Sequence, residues 1–296
     1  MYPAIIEEYL APTTVADAVA AIAQHNGEAT VFAGGMSIMQ AIKARAIEPR
    51  CIIDLNNISE LRGVSVGPEG AVIGPMTRYA DLQRDETLYG AYQAINDAAT
   101  TVADRQIRNR GTIGGSVCWN YVAACMPPTV LALDAQFELT GPGDSRRTVP
   151  AQEFFLGALE TARRDDELLT RITLPAAAGN AGSSYKKWST QVDGLPVIGV
   201  AVYVETDDAG DCTVARFAVG GILPVVSRAA SAEAQLVGTN ADDADGIARA
   251  TASAAEEIDP QSDRWAPGVY RKVLIQKLGR EMVSTAFERA AGGAAS

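Results

Sequence analysis

Residues Thr30–Gln40 read TVFAGGMSIMQ, and Asn109–Ser116 read NRGTIGGS. In each stretch a glycine pair sits where a short apolar run gives way to a new element. Gly34-Gly35 follows Val31-Phe32, and Gly114-Gly115 follows Thr112-Ile113. Turns without side chains let backbone N–H groups come close to a ligand, and several such groups together make a concave anion site. A helix beginning just after the turn adds partial positive charge. Two such loops in one chain suggest a ligand with a pyrophosphate, gripped from two sides.

The bulk numbers narrow the ligand class. The chain has 296 residues, enough for two or three domains, and 47% hydrophobic content, enough for a real core. Its net charge of −11, from 25 basic and 36 acidic residues, argues against nucleic acid and against an anionic membrane surface. No apolar run approaches the ~18 residues of a membrane-spanning helix. The start, MYPAIIEEYL, is acidic and has no basic n-region, so no signal peptide and a cytoplasmic location are expected. Cys51, Cys118, Cys125 and Cys212 form no C-x-x-C pair, so neither a zinc site nor an iron–sulfur cluster has its usual spacing. They read as free buried thiols. His25 is the single histidine, which makes a Ser-His-Asp triad hard to place. It falls near the end of a helix, where a cation suits the dipole.

Taken in order, Thr14 is expected to cap a helix, with Asp17 at capping-box spacing and Val15, Ala18, Val19, Ile22 and Ala23 on one face. Asn26-Gly27 stops it. A strand over Ala29–Ala33 enters the first glycine pair, Ser37 opens a helix over Ile38–Arg45, and Cys51–Asp54 reads as a buried strand. Leu61–Gly74 reads as a hairpin around Gly67-Pro68 and Gly70. Helices are expected over Ala80–Arg84, Tyr92–Val102 and Thr129–Leu133, and strands over Ala135–Leu139 and Leu168–Leu174. Arg105, Arg108 and Arg110 lead into the second glycine loop. They are read either as a solvated face or as part of an anion site. Ala176–Ser183, AAAGNAGS, reads as an interdomain linker. Strands then follow over Tyr185–Trp188, Val197–Glu205 and Thr213–Val219. Ser227 is expected to cap a helix over Arg228–Val237. Helices over Ala241–Ile258 and Tyr270–Ala290 end the chain, the last with Val273, Leu274, Leu278 and Val283 on its apolar side.

Five ordered motifs then carry a resemblance: VFAGGMS, IIDLNNI (Ile52–Ile58), VIGPMT (Val72–Thr77), QIRNRGTIGGS (Gln106–Ser116) and DELLTRITLP (Asp166–Pro175). Together with AVGGILPVVSRAASAEAQLVG and IDPQSDRWAPGVYRKVL in the C-terminal part, the chain resembles the FAD-binding medium subunit of molybdenum hydroxylases, the xanthine dehydrogenase and aerobic carbon monoxide dehydrogenase type. The resemblance covers nearly the whole chain. It implies an α+β architecture: a PCMH/VAO-type FAD-binding fold of two α/β subdomains, residues 1–55 and 56–176, plus a C-terminal antiparallel sheet-and-helix domain, residues 177–290. It also implies a role. Substrate is hydroxylated at a molybdopterin centre in a large subunit. Electrons cross 2Fe–2S clusters in a small subunit, reach FAD in this chain and leave to an external acceptor. The assembly expected is a dimer of heterotrimers.

Residue by residue, the resemblance implies that Ala33, Gly34, Gly35, Met36 and Ser37 cradle the FAD pyrophosphate, with Phe32 beside them. Thr112, Gly114, Gly115 and Ser116 form the second loop, against the diphosphate and ribityl. Thr77 lies near the flavin, and Leu168 and Leu169 contact the cofactor. Lys187 matches the lysine of a Y-x-K segment, with Lys186 the neighbouring candidate. The cofactor carries the chemistry, so no catalytic side chain and no metal ligand is expected in this chain. Two positions depart from the pattern. Ser116 stands where the family usually has Asn, and Cys125 where it usually has an Asp that hydrogen-bonds cofactor hydroxyls. Losing that charge-assisted bond costs about 1.5–3 kcal/mol, with Asn120 or Tyr121 as candidate replacements. The rival readings are a self-contained flavin oxidase of the same fold, with Cys118 or Cys125 as a flavin tether, and an assembly subunit that no longer binds flavin.

Overall fold

The computed structural model describes residues 5–25, 27–222 and 224–293. The first four residues, Asn26 of the expected helix stop and Leu223 of the C-terminal motif lie outside that set.

The N-terminal part is a parallel sheet of Glu8–Leu10, Cys51–Asp54 and Ala29–Phe32, with Cys51–Asp54 in the middle. Glu8–Leu10 escaped the sequence reading because three residues are too few to show an alternation. Helix Val15–His25 lays Ala18, Val19 and Ile22 onto this sheet against Ile53, Leu55 and Ile58. Thr14 Oγ1 accepts from the Asp17 N–H at 3.1 Å, as the capping spacing expects. Helix Ile38–Lys43 follows the first glycine pair and stops short of Arg45, whose φ is +53°.

The middle part is an antiparallel sheet of Val64–Gly67, Gly70–Ile73, Leu168–Pro175, Gln136–Gly141 and Ser145–Pro150, in that order. Short helices, among them Ala94–Thr101, Ile113–Trp119 and Met126–Ala132, pack on it. Pro127 and Pro128 sit in the first turn of Met126–Ala132, where their missing N–H groups cost nothing.

The C-terminal sheet runs Ala181–Trp188, Ile198–Thr206, Cys212–Gly220, Ser227–Arg228, all antiparallel. Its second strand is buried on both faces. Val200, Val202 and Val204 join a core with helices Ala230–Leu236, Ala244–Glu257 and Gly268–Gly293. Ala201 and Tyr203 join the core of the middle part. That double burial explains the almost continuously apolar run in the sequence.

Three expectations are corrected here. The supposed linker ends at residue 180, because Ala181, Gly182 and Ser183 open a buried strand. A Cβ on Gly182 would lie 2.1 Å from the Ala286 carbonyl oxygen, so these small residues are the surface on which the last helix rests. Ser227 caps nothing. It sits in a strand and its hydroxyl donates to Val225 O at 3.2 Å, while helix Ala230–Leu236 is capped by the Glu257 carboxylate, which accepts from the N–H groups of Ala230 (3.1 Å) and Ser231 (2.8 Å). Val273 is 56% exposed, whereas Leu274, Leu278 and Val283 are buried.

Candidate functional site

The two glycine loops meet on the wall of a cleft of about 840 Å³. Ala33, Gly34, Gly35, Met36 and Ser37 line it from one side, and Thr112, Gly114, Gly115 and Ser116 from the other. The glycines do unequal things. Gly35 has φ +78°, a conformation that a side chain resists, and its missing Cβ leaves room for the Phe32 ring, 2.4 Å from where that atom would be. Phe32 therefore supports the loop from behind and does not line the cleft. Gly34 is required by packing: a Cβ there would lie 2.3 Å from Arg110 O and 2.8 Å from Gly111 Cα. Likewise a Cβ on Gly114 would meet Pro75 Cβ at 2.4 Å.

The hydrogen bonds separate the loops further. The second loop spends its N–H groups internally. Ile113 donates to Thr77 O (3.2 Å), Gly114 to Pro75 O (2.9 Å), Gly115 to the Thr112 hydroxyl (3.1 Å) and Ser116 to Thr112 O (3.1 Å). Among the described residues, the N–H groups of Gly34, Gly35, Met36, Ser37 and Ile38 donate to no acceptor in the chain. Free backbone donors clustered at a cleft make an anion nest. The first loop is thus the donor and the second a wall, not the symmetric grip that the sequence suggests. Thr77, also expected at the ligand, is 3% exposed and does not line the cleft; its hydroxyl accepts from Gly63 N–H at 2.9 Å.

A polar bridge behind the loops went unread in the sequence. Asn56 Nδ2 donates to Ala33 O at 2.9 Å and to Asp54 Oδ1 at 2.5 Å. The Arg78 guanidinium donates to Asn56 Oδ1 and to Arg110 O. The carbonyls of both loops are therefore tied through Asn56 and Arg78. Arg78 is buried, and burial, with Arg62 and Arg110 nearby, holds its pKa below the usual arginine value. The signal was present, Asn56 inside the motif IIDLNNI and Arg78 directly after VIGPMT, but the partners are far apart in the chain. By contrast Arg105, Arg108 and Arg110 do not line the cleft, and Arg108 Nη1 is spent on Val102 O (2.9 Å) and Ala103 O (2.6 Å).

Leu168 and Leu169 also line the cleft, from a β-bulge, both 3% exposed, and Leu168 packs in the cluster that Ala33 of the first loop joins. Lys187 lines it as well, its Nζ donating to Gly194 O at 2.6 Å, whereas Lys186 points away and pairs with Glu281. Strand alternation separates the two lysines. Arg163 is the other cation on the wall, with Nη1 bonded to Arg164 O (2.6 Å) and Glu167 O (2.9 Å). Cys118 and Cys125 both line the cleft. Burial raises the Cys118 thiol to about 11 and pushes Cys125 up too, so both are neutral thiols near pH 7. Asn120, expected as a candidate replacement at the cofactor, is 3% exposed and does not line the cleft. Its φ is +42° and its amide donates to Gly157 O (2.7 Å) and Glu160 O (2.8 Å). Tyr121, 40% exposed, stays on the cleft wall.

Comparison with known proteins identifies the family. Residues 5–177 match the family described as FAD binding domain in molybdopterin dehydrogenase, and residues 183–286 the CO dehydrogenase flavoprotein C-terminal domain. The chain is 32% identical over 284 residues to the carbon monoxide dehydrogenase medium chain of Hydrogenophaga pseudoflava, covering 96% of this chain and 98% of that one. It is 30% identical to a putative xanthine dehydrogenase FAD-binding subunit of Escherichia coli, covering 96% and 97%. A solved Cu,Mo-CO dehydrogenase structure superposes with a TM-score of 0.91 at 31% identity, covering 98% of this chain and 100% of that chain. The chain belongs to the FAD-binding medium subunits of the molybdenum hydroxylase family. Among the described residues no helix is long and apolar enough to cross a membrane.

Proposed function

We propose that this chain is the flavin-holding electron-transfer subunit of a cytoplasmic molybdopterin-dependent hydroxylase or dehydrogenase. In that role it works with a large molybdopterin subunit and a small subunit carrying 2Fe–2S clusters, in a dimer of heterotrimers. Bound FAD supplies the redox chemistry, taking electrons from the clusters and releasing them to an external acceptor.

The observation that carries this reading is the set of unspent N–H groups from Gly34 to Ile38 opening on the cleft. A dinucleotide pyrophosphate matches them in charge and in number of acceptors. Gly34 and Gly35 fit such a group because the space for a side chain is already taken by Arg110 and Phe32. Asn56 and Arg78 hold the loop in that shape, and the buried Arg78 charge lies behind the anion site. Ser116 offers a hydroxyl on the second wall, facing that of Tyr79. Lys187 places a cation near the flavin end, oriented by Gly194 O, where it favours negative charge on the ring. The buried side chains of Leu168 and Leu169 give the cleft an apolar wall.

The test is titration of the flavin-free chain with FAD by calorimetry and absorbance. One equivalent is expected, released intact and yellow into the supernatant on acid precipitation. Absence of binding would instead favour the assembly subunit, and colour retained on the precipitated protein the tethered oxidase.

A further inference from the structure

We propose that Glu8, His25 and Cys51 form a mononuclear site for a divalent cation of the zinc class. A Glu8 carboxylate oxygen, a His25 ring nitrogen and Cys51 Sγ all lie within 4.8 Å of one another. Zinc bond lengths of about 2.0–2.3 Å place tetrahedral ligand atoms roughly 3.3–3.8 Å apart. His25 Nε2 and Glu8 Oε2 already stand at 3.4 Å. The remaining closure needs only side-chain adjustment of about an ångström or less.

The fold gives the three groups one reason to meet. Glu8 and Cys51 begin adjacent parallel strands and are register partners, so their side chains share a face of the sheet. His25 is the last residue of the helix that packs on this sheet, and it arrives at the same edge. The backbone around Glu8 is fixed, because Glu7 and Glu8 both donate to Arg50 O, at 2.8 and 3.1 Å. No sequence spacing could show the site, since each ligand comes from a different element.

One observation points to a ligand there. His25 Nε2 is buried and makes no hydrogen bond, although buried polar nitrogens are nearly always partnered. Cys51, 1% exposed, is a free thiol at the same spot and supplies the sulfur. The chemistry selects the metal. Thiolate and imidazole favour zinc over magnesium or calcium, which prefer all-oxygen shells. One thiolate, one carboxylate and one neutral imidazole balance a dication, so the occupied site carries no net buried charge. Glu8 is half exposed, which leaves a fourth position for water. Glu7 and Glu28 lie nearby and pair with Arg50, which offsets part of their charge. None of the three ligands lines the large cleft, so metal binding is independent of the flavin reading.

The test uses the full chain, stripped with a chelator and titrated with Zn2+ against a chromophoric competitor, with Co2+ as an optical probe. One equivalent is expected, together with a thiolate-to-cobalt charge-transfer band and a melting temperature that rises with metal concentration. Cys51→Ser should abolish the band. Because Cys51 is buried and its replacement also disturbs core packing, His25→Gln and the half-exposed Glu8→Gln serve as independent variants. Each should weaken Zn2+ binding by about tenfold or more. Flavin content should be the same in all of them. Substoichiometric binding at micromolar Zn2+, or equal affinity in wild type, His25→Gln and Glu8→Gln, would overturn the proposal.

Discussion

Gly34 rests on the carbonyl of Arg110, so closely that a Cβ would stand 2.3 Å from that oxygen. The first glycine loop is held in shape by the second, and the second by Pro75–Thr77. Gly34→Ala is therefore expected to push the loops apart. Overpacking of this kind costs typically about 1–3 kcal/mol. Thermal unfolding and flavin stoichiometry should both fall; an unchanged FAD titration would show that the loop contact does not shape the site.

Arg78 is the bridge between the loops, and its loss leaves Asn56 Oδ1 and Arg110 O each short of a donor. Arg78→Met should lower stability by about 1–3 kcal/mol and weaken FAD binding. Arg78→Lys should not restore it, because one ammonium cannot reproduce a planar fork reaching two carbonyls. Denaturant melts and FAD isotherms of the two variants check this.

The adjacent lysines should behave differently. Lys187→Met removes one of the two cations on the cleft wall, leaving Arg163. With an effective dielectric near 20, roughly 1–2 kcal/mol of preference for the reduced, more negative flavin is lost. For a two-electron couple that is a midpoint potential lower by about 20–40 mV. Lys186→Met breaks only an exposed pair with Glu281 and should leave the potential unchanged. Spectroelectrochemistry of both variants separates them.

Cys125→Asp places a carboxylate where a neutral, 5% exposed thiol now faces the cleft. The flavin-free protein should lose stability, since a buried carboxylate lacks a partner. FAD affinity should rise by roughly ten- to a hundred-fold if cofactor hydroxyls bond to it. Equal or weaker affinity would remove Cys125 from the list of contacts.

Glu167 ties the strand carrying Leu168 to Arg147, with paired hydrogen bonds of 2.6 and 2.7 Å. Burial works against its charged form, but Arg147 and the Arg164 N–H prevail and hold its pKa below 4.5. A folded-state pKa depressed in this way contributes stability above pH 4.5 that is lost as pH falls through the lower folded value. Glu167→Gln should cost about 1.5–3 kcal/mol near neutrality. The difference from wild type should shrink in acid, as pH-dependent denaturant melts would reveal.

Much of the fold was legible because its signals are local. The face of Val15–His25, the capping Thr14, the hairpin at Gly67–Gly70 and the apolar run Ile198–Thr206 each follow from spacing alone. What was missed depends on partners distant in the chain. Small residues at Ala181–Ser183 read as flexible because the helix that covers them arrives a hundred residues later. Glu257 caps a helix that Ser227 was expected to cap. At the site, both glycine pairs were visible, but which one retains free N–H groups depends on Pro75 and Thr77. Asn56 lies inside a recognisable motif and Arg78 directly after one, yet only the bridge itself gives them a purpose.

The strand Ile198–Thr206 belongs to two cores at once, and its neighbour Ala181–Trp188 carries Lys187, paired in register with Gly199. Widening the cleft by swinging the C-terminal sheet outward would bare apolar side chains on one face of a strand that has no solvated face. The sheet that carries Lys187 is thus held by two cores at once, so the lysine's position is coupled to the packing of both the middle and the C-terminal parts.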